Sequence, residues 1–242
     1  MVFITGDTHG ILNQGKLNSL DYIIEDADPS LSEQHYLIVL GDFGMLWKSF
    51  KDEIELGLEE FYGSKPYITL FLDGNHENFN RLDNLEQIRM FDGTVGKVTD
   101  KVFHLRRGEI YNIRFNKFFV FGGAFSIDRN ERTWGKSIWK QEIPNDIERK
   151  YALENLKLNN FEVDYVLTHT GPDTICNEYL RYRGWGPLHQ WPYDEVRNVE
   201  LYLDQIKKQT TYYKWLFGHW HEDWTSSDGK HIMMYNKIHK IT

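Results

Sequence analysis

Six short apolar runs punctuate the chain, and each stops at Gly, Asp, Asn or His. "VFIT" leads to Gly6 and Asp7, "HYLIVL" to Gly41 and Asp42, and "YITLFLD" to Gly74, Asn75 and His76. "FFVF" leads to Gly122 and Gly123, "DYVLT" to His169, and "KWLF" to Gly218 and His219. Continuous apolar runs rich in Val, Ile and Phe read as strands covered on both faces. Helical spacing falls between them. Leu17 to Ala27 carries Leu17, Leu20, Ile23 and Ile24; Glu53 to Tyr62 carries Ile54, Leu58 and Phe61. Asn145 to Leu158 opens with Asn145 and Glu148 spaced as a capping box. Asp194 to Lys207 carries Val196, Val199, Leu203 and Ile206. Strands alternating with helices predict an α/β layer architecture. "VFHL-RRG-EIYNI", from Val102 towards Arg114, reads as a hairpin and predicts antiparallel strands and a second sheet in the later half. Ser126 to Gln141 and Asn177 to Tyr193 fit no element and read as loops over a site. With no repeat, low-complexity tract or Gly/Ser linker, residues 1–242 are expected to form one domain.

Composition narrows this picture. The 242 residues are 40% hydrophobic and 15% aromatic, with eight Trp, which is globular and long enough for a sizeable core. The net charge of −8 argues against non-specific binding of nucleic acid, which needs basic patches, and is natural for a collector of divalent cations. The one cysteine, Cys176, excludes an intrachain disulfide and reads as a buried thiol, with a lean to the cytosol. No run is long enough to span a membrane, and the opening "MVFITGDTHG" lacks the pattern of a signal peptide.

The residues that end the runs share a chemistry. They are Asp7 and His9, Asp42, Asn75 and His76, His169, then His219 and His221. Ligands of open α/β sheets sit beyond the carboxyl ends of strands, so parallel neighbours would bring these side chains together. Asp and His bind divalent transition metals, and Asn adds a neutral oxygen. In "GHWH" the two imidazoles are two residues apart, and on an extended segment they would point the same way.

The ordered set "GDTHG" (6–10), "GDFG" (41–44), "GNHE" (74–77), "THTGP" (168–172) and "GHWH" (218–221) resembles the calcineurin-like metallophosphoesterase superfamily. "LGDFGMLW" and "FGGAFSID" look like stretches of its small bacterial and phage members. The resemblance covers nearly the whole chain. It implies the metallo-dependent phosphatase fold, a four-layer sandwich of two mixed β-sheets flanked by α-helices. It implies two divalent ions, manganese preferred over Fe, Zn, Co or Ni. Asp7, His9, Asp42 and His221 would take one ion, and Asp42, Asn75, His169 and His219 the other, with Asp42 bridging. It further implies hydrolysis of phosphomonoesters or phosphodiesters, nucleotides among them, by in-line attack of a metal-bridging hydroxide, with His76 near the leaving oxygen. A nuclease or dinucleoside-polyphosphate hydrolase on the same site is the alternative. A non-catalytic scaffold is a third reading, disfavoured because no motif residue is lost.

The chain also departs from the family pattern. "GDFGMLWKS" lacks the charged residue that many members carry after GD, and Asp73 stands where Ser/Thr protein phosphatases place Arg, which argues against a phosphoprotein substrate. Arg129, Arg132, Trp134 and Trp139 are candidates to grip phosphate or stack on a base, and Arg181, Arg183, Trp185 and Trp191 form a similar Arg/Trp cluster. His35, His104, His189, His231 and His239 read as surface or packing residues.

Overall fold

A computed structural model describes residues 1–25, 34–192 and 194–241; the end of the helix expected to reach Ala27, and Tyr193 in the second expected loop, lie outside them. The strands in chain order are β1 (Val2–Thr5), β2 (His35–Val39), β3 (Tyr67–Phe71), β4 (Glu86–Met90), β5 (Gly93–Lys97), β6 (Val102–Leu105) and β7 (Ile110–Ile113). They continue with β8 (Asn116–Phe121), β9 (Tyr165–Thr168), β10 (Lys214–Phe217), β11 (Trp224–Thr225), β12 (His231–Met233) and β13 (Ile238–Ile241). The helices are α1 (Asn18–Glu25), α2 (Glu53–Ser64), α3 (Phe79–Leu82), α4 (Asp146–Leu158), α5 (Asp173–Tyr182) and α6 (Asn198–Gln209).

The first sheet runs β13-β1-β2-β3-β6-β5-β4 and the second β11-β12-β10-β9-β8-β7. Both are mixed. β1, β2, β3 and β6 are parallel, as are β8, β9, β10 and β12, and the flanking pairs are antiparallel. Alternation along each strand sets the layers. Val2, Ile4, Ile38 and Leu70 of the first sheet pack with Phe118, Val120, Leu167 and Leu216 of the second. The opposite faces meet helices. Phe3, Leu37, Val39 and Phe71 pack on Leu20, Leu58 and Tyr62, while Phe119, Val166, Trp215 and Phe217 pack on Leu156, Tyr179 and Leu203. The result is the expected four-layer α/β/β/α sandwich.

Local signals start the helices. Asn145 accepts from the amides of Ile147 and Glu148, and the Glu148 carboxylate accepts from the Asn145 amide, closing the predicted capping box. At α2, Asp52 accepts from the Glu55 amide at 3.0 Å.

The expected hairpin around Arg106–Gly108 does not form. β6 pairs with β3 and β5 in the first sheet, and β7 pairs with β8 in the second, so "RRG" carries the chain between sheets. Consecutive antiparallel pairs form on either side of it, as β4–β5 and β5–β6 in the first sheet and β7–β8 in the second. Asn177 to Tyr182, expected to be irregular, completes α5, whereas 126–141 holds only short single-turn helices and isolated bridges. Asp194–Arg197 is a 3-10 turn ahead of α6. Among the described residues no helix is long and apolar enough to cross a membrane.

Candidate metal centre

The carboxyl ends of β1, β2, β3, β9 and β10 open on one place. Asp7 and His9 follow β1, Asp42 follows β2, Asn75 and His76 follow β3, His169 follows β9, and His219 and His221 follow β10. Asp7, His9, Asp42 and His221 each present one donor atom, all within 4.8 Å of one another. His169 Nε2 lies 3.4 Å from Asp42 Oδ1 and 3.0 Å from Asn75 Oδ1. The His169 and His219 rings are 5.0 Å apart, and the His76 amide donates to Asp42 Oδ1 at 2.8 Å. All eight residues picked from the strand ends therefore meet.

The loops that deliver them are tied to one another. The His9 amide donates to the Asp42 carbonyl at 2.8 Å, and the His219 amide to Asp7 Oδ1 at 3.0 Å. Two glycines permit this closeness. A Cβ on Gly74 would lie 2.0 Å from Asp42 Oδ1, and one on Gly218 would lie 2.2 Å from Asp7 Oδ1. His9, Asp42, His219 and His221 all adopt positive φ, between 45° and 69°. Such backbone is rare outside Gly and persists where surrounding contacts hold it. It also corrects the extended reading of "GHWH": the two histidines sit in a turn beyond β10.

The donors fit a cation. His169 Nδ1 donates to the Leu40 carbonyl at 2.7 Å, which turns Nε2 towards two oxygens. Asn75 Nδ2 donates to Ser126 Oγ at 3.0 Å, which turns Oδ1 inward. Lone pairs so arranged need a proton or a cation between them. Without a cation the proton serves. Burial opposes charge on His169, but the Asp42 carboxylate pushes its pKa up to about 9. Burial would likewise raise Asp42, yet His169 holds its carboxyl well below the usual range. Burial and the nearby His169 drop His219 to about 3, so its ring is a neutral donor. Asp7 Oδ2 is buried, with His221 Nε2 at 3.1 Å and His9 Nε2 at 3.8 Å, so a carboxylate oxygen and two imidazole nitrogens face one point. Such a mixed set of oxygen and nitrogen donors suits a divalent cation.

Behind the donors lies a polar network that the sequence reading did not find. Ser126 Oγ donates to Glu142 Oε2 at 2.6 Å, and Arg132 donates to Ser126 Oγ, the Asn75 carbonyl and Glu142. Glu77 Oε1 accepts from the Phe43 amide at 2.7 Å, joining the second and third motifs. Asp73 is buried and accepts from Arg107 and His104, so His104 supports this loop and is more than a packing residue. Glu77 and Asp73 could have been suspected from their places inside and beside "GNHE"; the others are too distant in sequence to signal a contact.

The four expected substrate residues are not grouped at the centre. Arg132 points inward, its side chain 7% exposed, because Ser126, Glu142 and two carbonyls engage its guanidinium. Trp139 is buried in the core between the first sheet and its helices. Arg129 lies over the rings of Phe125 and Trp134, and Trp134 is exposed. Cys176 is buried, as expected.

The fold and this cluster define the class: an α/β sandwich with a candidate Asp/His metal centre at its strand ends. The chain belongs to the calcineurin-like phosphoesterase family, whose model matches residues 1–223. No curated protein matches it. Among solved structures it is similar to a Staphylococcus aureus protein described as a 5'-nucleotidase, in complex with alpha-ketoglutarate. That similarity has 17% identity and a TM-score of 0.49, and covers 97% of this chain. This chain spans 48% of the length of that protein.

Proposed function

We propose that this protein hydrolyses phosphoesters at a centre holding two divalent cations, manganese by first preference. The convergence of carboxylate, amide and imidazole donors on Asp42 carries this reading. Asp7, His9, Asp42 and His221 would hold one ion, and Asp42, Asn75, His169 and His219 the other. When bound, such ions act as Lewis acids, lower the pKa of water and offset phosphoryl charge.

The protein's own groups do the rest. Hydrogen bonds from His169 to Leu40 and from Asn75 to Ser126 keep two donors aimed inward before any substrate arrives. His76 stands at the edge of the cluster, its ring stacked on Trp47 at 5.7 Å and 6.0 Å from the His9 ring. From there its Nε2 is the atom to pass a proton to the departing oxygen. Burial lowers the His76 pKa, while the carboxylates of Asp42 and Asp128 oppose that shift. A diesterase, including the nuclease and dinucleoside-polyphosphate alternatives, is favoured by one further observation. Besides the cavity onto which Asp42, Asn75 and His76 open, another of about 400 Å³, lined by His9, Leu12, Met45 and Trp47 among others, adjoins the cluster and has room for a second organic group. A cytosolic setting belongs to the same reading and is supported by the lone, buried Cys176.

Purified protein with Mn²⁺ should turn over nitrophenyl phosphate or bis-nitrophenyl phosphate, lose that activity to chelator and regain it with added metal. Asp42→Asn should cost about 10³-fold or more in kcat. His76→Ala should keep its metal and lose roughly 10²-fold, mostly on poor leaving groups. Metal binding without turnover of any mono- or diester would sink the proposal.

A further inference from the structure

The cluster opens into a cavity of about 380 Å³, within the range of small-molecule sites, roughly 300–1,000 Å³. Asp42, Asn75, His76, His219 and His221 form its polar part. Phe125, Trp185, Leu188, Trp191, Val196 and Trp220 form an apolar part. Among the described residues no Lys or Arg lines it, so a second anionic group would find no partner there. Packing holds the rings. Trp191 and Trp220 meet edge-on at 6.2 Å, Trp220 and Tyr179 at 5.6 Å, and the Arg183 guanidinium lies 5.2 Å from the Trp185 ring.

Glu200 of α6 also lines this cavity. Its Oε1 accepts from the Thr170 hydroxyl at 3.0 Å, whereas Oε2 is buried with no partner. The residue is only 2% exposed. A buried acceptor without a donor is costly, and a ligand N–H arriving there would remove that cost.

We infer that this cavity receives the planar base of a nucleotide, lying against Trp185, Trp191 and Trp220, with a base N–H directed to Glu200 Oε2 and the phosphate at the metal centre. The inference rests on the phosphoesterase reading and names its substrate class. A base fits where other phosphate carriers do not. Sugars present hydroxyls, phosphoserine and phosphothreonine present an aliphatic stem, and phosphotyrosine has a ring but no N–H at its edge for Glu200. Every base has a π-face for stacking and polar atoms at its edge. Burial pushes the Glu200 carboxyl up to about 8, and with Oε1 engaged by Thr170 it is Oε2 that remains to meet the polar edge of a base.

Adenosine 5'-monophosphate and ribose 5-phosphate share one ester and differ in the base. With manganese-loaded protein, kcat/KM for the nucleotide should exceed that for ribose 5-phosphate by about tenfold or more, the worth of one base–aromatic contact. Trp185→Ala, at a half-exposed position, should shrink that ratio several-fold. A second measurement needs no metal. Adenosine should quench the tryptophan fluorescence saturably, ribose should not, and Glu200→Leu, which removes both oxygens, should weaken adenosine binding. Equal rates on both phosphates, with no saturable quench, overturn the base site and leave the phosphoesterase reading standing. Turnover of neither phosphate, nor of the nitrophenyl esters, overturns that reading and the substrate assignment with it, and the adenosine titration tells the two failures apart.

Discussion

The donors gathered around Asp42 fall into two groups that are built differently. In the inner group His169 is fully buried, and the inward-facing atoms of His169 and Asn75 are each aimed by a hydrogen bond from behind, while Asn75 and His219 face the cavity. In the outer group, the His9 and His221 ring nitrogens lie 3.0 Å apart, the His221 side chain is 49% exposed, and its ring rests on Tyr235 at 4.8 Å. The inner donors are thus arranged in advance, whereas the outer imidazoles are held mainly by packing and by each other. Preorganised ligands held by outer hydrogen bonds bind metal more tightly. The inner position should fill first and exchange last.

Metal stoichiometry offers the sharpest way to break this contrast. His169→Ala should strip the inner ion and lower activity by about 10³-fold or more, whereas His221→Ala should lose only the exchangeable ion, with most activity recovered at high metal. Equal loss of metal from both variants would erase the distinction. Protons give a second test. In metal-free protein, the raised pKa of His169 stabilises the fold fully below its unfolded value of about 6.5. That contribution is lost as pH rises towards about 9, at up to roughly 1.4 kcal/mol per pH unit. Urea unfolding should show the decline without metal and a much flatter profile with it. The smallest effect is expected behind Asn75. Ser126→Ala removes the hydroxyl that accepts from its amide, and should weaken inner-site affinity by about tenfold while leaving the outer site near its starting value. Calorimetric titration with Mn²⁺ resolves the two.

The strands and the donors at their ends were legible because both signals are local. "HYLIVL" and "YITLFLD" are buried runs with chemistry attached, and the parallel pairing of β1, β2 and β3 brings their ends level. β4 was missed because Glu86, Gln87 and Arg89 interrupt the apolar pattern of a strand at the sheet edge. The Arg106–Gly108 turn was misread because turn chemistry reports a bend and not which sheet receives each arm. Support for the site was least visible. Arg132 and Ser126 stand far from Asn75 in sequence, and only folding shows that a loop Arg rich in donors faces inward.

The centre joins Asp7, which follows β1, to His221, which follows β10. Domains form from the amino-terminal side as translation proceeds. The nascent chain therefore exposes Asp7, His9 and Asp42 well before the imidazoles that complete their cluster. A product stalled ahead of Gly218 would retain β1, β2 and β3 but deny Asp7 Oδ1 the His219 amide. Closure of the cluster thus waits on β10 and the turn that follows it, because that turn supplies both the His219 amide and the His221 ring.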